Sequence, residues 1–535
     1  MIPRWVIVVA VTVLGATCVP LAYRAATTPP DQYFTGNCEQ VCDQSTNLMW
    51  ARQVRDGHLL AHDLHTSEPH PPVLPSLPWL AVGLVARALH LPLLWAYHGV
   101  RVLFGLAYLL LAWGLVAEYL PGSAERAFAW IAIALGSGLA ILAGPINDIA
   151  GRQVAGTAEW MPELWGFHSI AVQPHFALAL ALIAGLVWVL LASYRRVREI
   201  GAAGQPARPG RGVWKLALAA AGLAALLTLV HPFDIVVWGP LLVAHTVGCR
   251  LWGGRRVHWA NVAALVGVAP AAGFLLWQMR TNPVFEAWAR QNLLLSPSML
   301  AYLAGFGVVV VLAISGLVIL GHRRQRTAAD WLIIGWVAIT AVMVNSGPVI
   351  SFERRCIEGL HIPLSLLAAI GITGWLMPWL QRRWHLGQRR AGQVAMAALL
   401  VCILPTNIRL LADASVSREA LIPTDWVEAF GWLAHNTAPQ DCVLASPLVG
   451  NHLAWLAVRP VYVGHTQLTI DFERKAEQVE RFFDARTPAA RREKLLAESG
   501  CRWVMAQNSE RQSADELPDL QRVYSNATVS IYRVR

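Results

Sequence analysis

One stretch gathers acids, cations and histidines at spacings suited to acid–base work beside a phosphate. It opens Cys38-Glu-Gln-Val-Cys-Asp43-Gln44 and continues in a helix-patterned run to Arg55-Asp56-Gly57-His58. It then gives Thr66-Ser-Glu68-Pro-His70-Pro-Pro72, Trp79 and Arg101. A carboxylate such as Asp43, just outside a membrane with cations nearby, suits deprotonation of a hydroxyl beside a lipid phosphate. The carboxylate acts as base, and Arg or His stabilises the departing phosphate. Asp43 has a second reading as the cap of the helix that follows it.

Further groups recur along the chain. Asp148, Glu159 and Glu163 share one loop, and their plain reading is as solvated carboxylates. His175 follows Pro174, and His231 with Asp234 marks a tight corner that a Pro-containing turn explains nearly as well. Arg354, Arg355, Glu358 and His361 stand at the start of an apolar run. The paired arginines suit phosphate binding, against the alternative of an ion pair with Glu353 or Glu358.

The elements that must hold these residues are membrane helices. Of 535 residues 56% are hydrophobic and only 14% charged, where a soluble domain carries about 25% charged residues. Eleven spans are expected, at 5–23, 93–118, 125–144, 169–193, 214–230, 233–249, 259–279, 298–320, 330–347, 361–380 and 391–411. The first, after Arg4, reads as an uncleaved helix because no clean small-residue cleavage site follows it. The net charge of +10 resides mostly in arginines of short loops, with only Lys215, Lys475 and Lys494 as lysines. That pattern orients membrane helices and gives no support to a nucleic-acid partner.

Four basic groups set the sides: Arg195 to Lys215 (with Arg208), Arg255 with Arg256, Arg323 to Arg326, and Arg382 to Arg390. With residues 1–4 inside, all four are cytoplasmic only if the apolar stretch 73–89, with Pro75 and Pro78, lies at the interface without crossing. The expected organisation is a polytopic α-helical domain over 1–411, whose first outer loop is 24–92, and an extracytoplasmic α/β domain over 412–535.

In that tail, Thr424 or Asp425 is expected to cap a helix reaching about His435. Cys442–Ala445, Val461–Val463 and Arg502–Ala506 read as buried, mostly parallel strands, with helices at 472–485 and 488–498. Gln521–Tyr524 and Thr528–Tyr532 read as a closing hairpin. No Gly-rich nucleotide motif occurs in it. Cys38 with Cys42 would be half a metal site, but no second Cys/His pair stands near. In an oxidising compartment two disulfides, Cys38–Cys42 and Cys442–Cys501, are the simpler reading.

The order of the first loop resembles the membrane-embedded C-type (GT-C) glycosyltransferases that use polyprenyl-phosphate sugars, such as the aminoarabinose and protein mannosyl transferases. Asp43-Gln44, Gly57-His58, Pro71-Pro72 with Trp79, and Arg101 follow that family's order. Gln44 replaces its second acid, and Val102-Leu103-Phe104 replaces Leu-Pro-Ser. Phrases such as TSEPHPP (66–72), HPFD (231–234), NPVFEAWARQN (282–292) and ERRCIEGLHIPL (353–364) resemble a less characterised bacterial branch.

The resemblance implies an inverting glycosyltransferase of a bacterial inner membrane, taking a polyprenyl-phosphate-linked sugar from the lipid to a glycan, lipid or protein acceptor. It implies Asp43 and Asp148 as catalytic acids, and Arg101, Arg354 and Arg355 as phosphate ligands. Glu68, His70, Glu163, His175, His231 and His361 are expected to contact substrate. Some relatives need a divalent metal, but one acid with Gln44 beside it argues against a built-in site, so no metal ligand is assigned. Two other classes compete. A transporter or flippase of a lipid-linked glycan predicts internal repeats and broken mid-membrane helices. A catalytically inactive member with an assembly role draws on Gln44.

Overall fold

The computed structural model describes residues 2–151, 153–154, 156, 160–202, 210–252 and 258–535. Glu159, Arg208, Arg255 and Arg256 lie outside the described residues. Packing divides the chain into two units: Met1–Val19, Arg101–Phe274 and Leu293–Asp413 form the first, and Pro20–Val100, Leu275–Asn292 and Ala414–Arg535 the second. The first outer loop therefore belongs to the same compact unit as the C-terminal region.

Among the described residues eight helices are long and apolar enough to cross a membrane, ten if two bent pairs each count as one span. The chain is a multi-pass membrane protein. Burial separates the helices: 78% of the apolar window of Pro174–Ile200 is inside the protein, but only 28% of that of Gln388–Val416. Exposed side chains in the middle of the latter, such as Val401 and Ile408, are apolar and suit lipid.

Three expected spans differ from the sequence reading. The 125–144 span is a helix, Ser123–Leu135, followed after a 60° bend by 140–150, and 298–320 bends by 92° between Met299–Phe306 and Val308–Gly321. The two breaks meet in the first unit. Leu139 N–H donates to Ala304 O at 3.0 Å, and a side chain at Gly138 would stand 2.3 Å from Gly305 O. Each break frees backbone groups that must be paired away from water, and here one break serves the other. The 330–347 span is the 16-residue helix Ala328–Met343, about 24 Å long and shorter than a ~30 Å hydrocarbon core. The stretch 73–89 forms the 12-residue helix Leu77–Ala88, about 18 Å long and too short to cross.

The second unit is built on six strands: β1 (Gln32–Phe34), β2 (Leu421–Pro423), β3 (Val443–Leu444), β4 (Trp503–Gln507), β5 (Leu520–Ser525) and β6 (Val529–Val534). β1 pairs antiparallel with β2, tying the first loop to the tail. The other sheet has the order β3-β4-β6-β5, with only β3 and β4 parallel. The mostly parallel tail is thus corrected to a mixed, mainly antiparallel sheet. Val461 contributes only an isolated bridge to Val443. The helix Thr424–Asn436 begins after Pro423 with no side-chain cap, so neither Thr424 nor Asp425 caps it.

Cys442 and Cys501 form a disulfide. Cys38 and Cys42 do not, and this expectation is corrected: Cys38 is buried in the turn before the helix Val41–Arg55, whereas Cys42 sits in its first turn and is exposed.

Candidate functional site

Among the described residues, each unit holds a histidine-centred cluster that includes residues singled out in the sequence. In the second unit, Asp43 lies in the first turn of Val41–Arg55. Gln40, in the left-handed region, is the residue at the N-cap and makes no side-chain cap bond. Asp43 Oδ1 instead accepts from His465 Nε2 at 2.9 Å. The Asp43 side chain is 53% exposed and that of His465 only 7%. The backbone N–H of Gln467 donates to His465 Nδ1 at 3.2 Å. Nδ1 therefore accepts, and Nε2–H is aimed at the carboxylate.

Several residues hold this imidazole in place. Gln291 donates to the carbonyls of Thr466, Gln467 and Thr469 and accepts from Asp471 N–H, fixing the loop after His465. The His65 ring lies 5.8 Å from that of His465 and makes a 3.0 Å hydrogen bond with Thr46 Oγ1. A side chain at Gly464 would stand 2.6 Å from His65 Nδ1, so only glycine allows this approach. Burial pushes the His65 imidazole well below its ordinary pKa. Asp63, two residues earlier, accepts the His65 N–H at 2.9 Å. Burial raises its carboxyl to about 7, partly opposed by that N–H and by His465 and Lys475.

The two substrate candidates of the first loop have structural partners. Glu68 pairs with the buried Lys475 at 2.6 Å. Burial pushes the Glu68 carboxyl up, but Lys475 and Thr66 outweigh it and hold it low. His70 Nε2 accepts from Asp63 N–H at 3.0 Å, leaving Nδ1–H to donate to Glu68 O at 2.8 Å. Both ring nitrogens thus shape the loop, and burial lowers the pKa of the ring.

In the first unit the expectation that Arg101 holds a phosphate is corrected. Arg101 is fully buried, and its guanidinium donates to Thr17 Oγ1 at 3.1 Å, Ile170 O at 2.6 Å and Cys18 Sγ at 3.4 Å. It bolts helices together. Arg354 and Arg355 are half-buried and lie over the rings of Trp160 and Phe233, at 4.9 and 4.5 Å. The carboxylates that were their alternative partners are engaged elsewhere. Glu353 accepts the N–H groups of Ser296 and Gly347 at 2.9 and 2.7 Å, and Glu358 faces His231.

His231, Asp234 and Glu358 form the second cluster, all buried. The other candidates fall around or apart from it. The His175 ring lies 6.5 Å from that of His231, and His361 bonds Tyr108 through Nε2 at 2.7 Å. Glu163 is buried in a short turn. Asp148 is exposed on the helix Ala143–Ala150, which has no buried residue. The sequence reading missed His465, 422 positions from Asp43. It also missed Lys475, for which the rarity of lysine was the available signal.

No protein-family model and no curated protein matches the sequence. Solved structures do match in fold. AglB, an archaeal oligosaccharyltransferase from Archaeoglobus fulgidus solved with an inhibitory peptide and a dolichol-phosphate, aligns with TM-score 0.60 at 11% identity, over 94% of this chain and 69% of its own. ArnT from Cupriavidus metallidurans bound to undecaprenyl phosphate aligns with TM-score 0.55 at 14% identity, over 99% and 97%. The arabinofuranosyltransferase AftD from Mycobacteria gives 0.59 at 16%, over 100% of this chain but 40% of its own. These are GT-C glycosyltransferases, and the fold of this chain is the GT-C fold.

Proposed function

We propose that the chain is a membrane glycosyltransferase that moves a sugar from a polyprenyl-phosphate-linked donor to an acceptor hydroxyl, with inversion at the anomeric carbon. The observation that carries this reading, beside the fold, is the exposed Asp43 carboxylate held by the buried His465. As the acceptor oxygen attacks the anomeric carbon, Asp43 takes its proton. The bond from that carbon to the phosphate oxygen breaks, and polyprenyl phosphate leaves with the electron pair. His465 positions the base.

The same reading places the reaction on the outer face of a bacterial inner membrane, with the C-terminal region outside. Two facts support that side: the four basic clusters, and a Cys442–Cys501 disulfide, of the kind that persists in oxidising compartments. The test is cleavage of polyprenyl-phosphate sugars by the detergent-purified full chain. Asp43→Asn is expected to slow transfer by about 10²-fold or more, and His465→Phe to slow it less. An Asp43→Asn enzyme at wild-type rate sinks the base, and a wild-type protein that cleaves none of the donors sinks the whole reading.

A further inference from the structure

We propose that His231, Asp234 and Glu358 are a binding site for a divalent transition-metal cation. The three residues come from separate local features of the first unit. His231 ends the helix Arg211–Val230, Asp234 closes the short turn Pro232–Asp234, and Glu358 follows the turn Glu353–Ile357. Both carboxylates converge on one nitrogen. Asp234 Oδ2 stands 3.2 Å and Glu358 Oε2 2.8 Å from His231 Nδ1, and the three side chains are at most 3% exposed.

A single Nδ1–H would serve one of these oxygens at best. In fact none of Asp234 Oδ2, Glu358 Oε1, Glu358 Oε2 or His231 Nδ1 makes a hydrogen bond of acceptable geometry among the described residues. Two buried carboxylates so placed carry a desolvation cost of several kcal/mol each unless a cation compensates it. The spacing fits coordination. Metal–ligand bonds of about 2.0–2.1 Å put neighbouring ligand atoms about 2.8–3.0 Å apart in an octahedral shell and about 3.3–3.4 Å in a tetrahedral one. The three donor atoms all lie within 4.8 Å of one another. One imidazole among two carboxylates favours zinc, manganese or iron(II) over magnesium or calcium, which prefer all-oxygen shells. Three protein ligands leave at least one coordination position for water or a substrate oxygen.

The test reads metal content and melting, so it does not depend on the glycosyl-transfer reading. The full chain is purified in detergent, stripped with chelator, dialysed against ZnCl₂, MnCl₂ or MgCl₂, and analysed for bound metal and thermal unfolding. Wild type is expected to retain about one equivalent of zinc or manganese, but not magnesium, with a raised melting temperature. Glu358→Gln and Asp234→Asn keep the side-chain size and are expected to weaken binding by about tenfold or more, as loss of a metal-site interaction does. Asp413→Asn, at an exposed carboxylate, is expected to bind as wild type does. A folded wild-type protein that retains no zinc or manganese and does not respond to either in melting overturns the proposal, leaving an imidazolium shared by two carboxylates. Variants that retain wild-type metal content overturn it equally. If both variants fail to fold, the wild-type titration alone decides.

Discussion

The two histidine-centred clusters have similar residues in opposite surroundings. Asp43 is half exposed, and its imidazole partner is buried and anchored by a backbone N–H. Asp234 and Glu358 are buried with their imidazole, and no backbone group supports the nitrogen on which they converge. Water can solvate the first carboxylate as it gains and loses a proton, which suits a base. The second pair is buried, so its charge is met either by a proton on His231 or by a bound cation. On the two proposals, the same residue types would serve proton transfer or cation binding according to how much water reaches them.

The sharpest way to break this contrast is to cut each cluster and measure stability. His231→Gln leaves two buried carboxylates without their imidazole and should cost about 3–5 kcal/mol, read as a fall in melting temperature. Asp43→Asn should change stability by less than about 0.5 kcal/mol, as exposed substitutions do. Equal losses at the two sites would erase the distinction.

A smaller effect concerns what holds the Asp43 unit together. The Cys442–Cys501 bond closes a loop with a sequence separation of 59. Loop-closure entropy puts its removal by double Ser substitution at about 4 kcal/mol or somewhat less. Limited proteolysis of the second unit checks it, and Cys38→Ser should leave the digestion pattern unchanged.

Finer still is the pH dependence around His65. The folded pKa of Asp63 is raised to about 7, so between its unfolded value near 4 and 7 the folded state binds more protons than the unfolded state. Stability contributed by this group is therefore present below about pH 4 and lost as pH rises through 7, by up to about 4 kcal/mol in all. Asp63→Asn keeps an acceptor for the His65 N–H and should flatten melting temperature between pH 5 and 8. An unchanged slope would show that Asp63 does not titrate there.

Much of the fold was legible because apolar runs of about twenty residues have few soluble alternatives. The bends near Gly138 and Gly307 were not, since both halves of each broken helix are equally apolar and hydropathy carries no angle. The β5–β6 hairpin could be read from its turn. The direction of β4 against β6 could not, because alternation reports which face a side chain occupies and not which strand lies beside it. At the site, Asp43, His231, Arg354 and Arg355 stood out by residue type, while Arg101 misled because a guanidinium in a motif reads the same whether it faces a ligand or a carbonyl.

The sequence by itself determined a polytopic helical protein, a first loop of acids and histidines and a tail of alternating helix and strand patterns. These follow from local composition and period, which are properties of neighbouring residues. Only the tertiary structure decided that His465 meets Asp43, that Arg101 is a bolt, and that His231, Asp234 and Glu358 share one dry corner. Those outcomes depend on burial and on contacts across tens to hundreds of residues. Chain closure at that range depends on the packing of the whole unit, which no local pattern encodes.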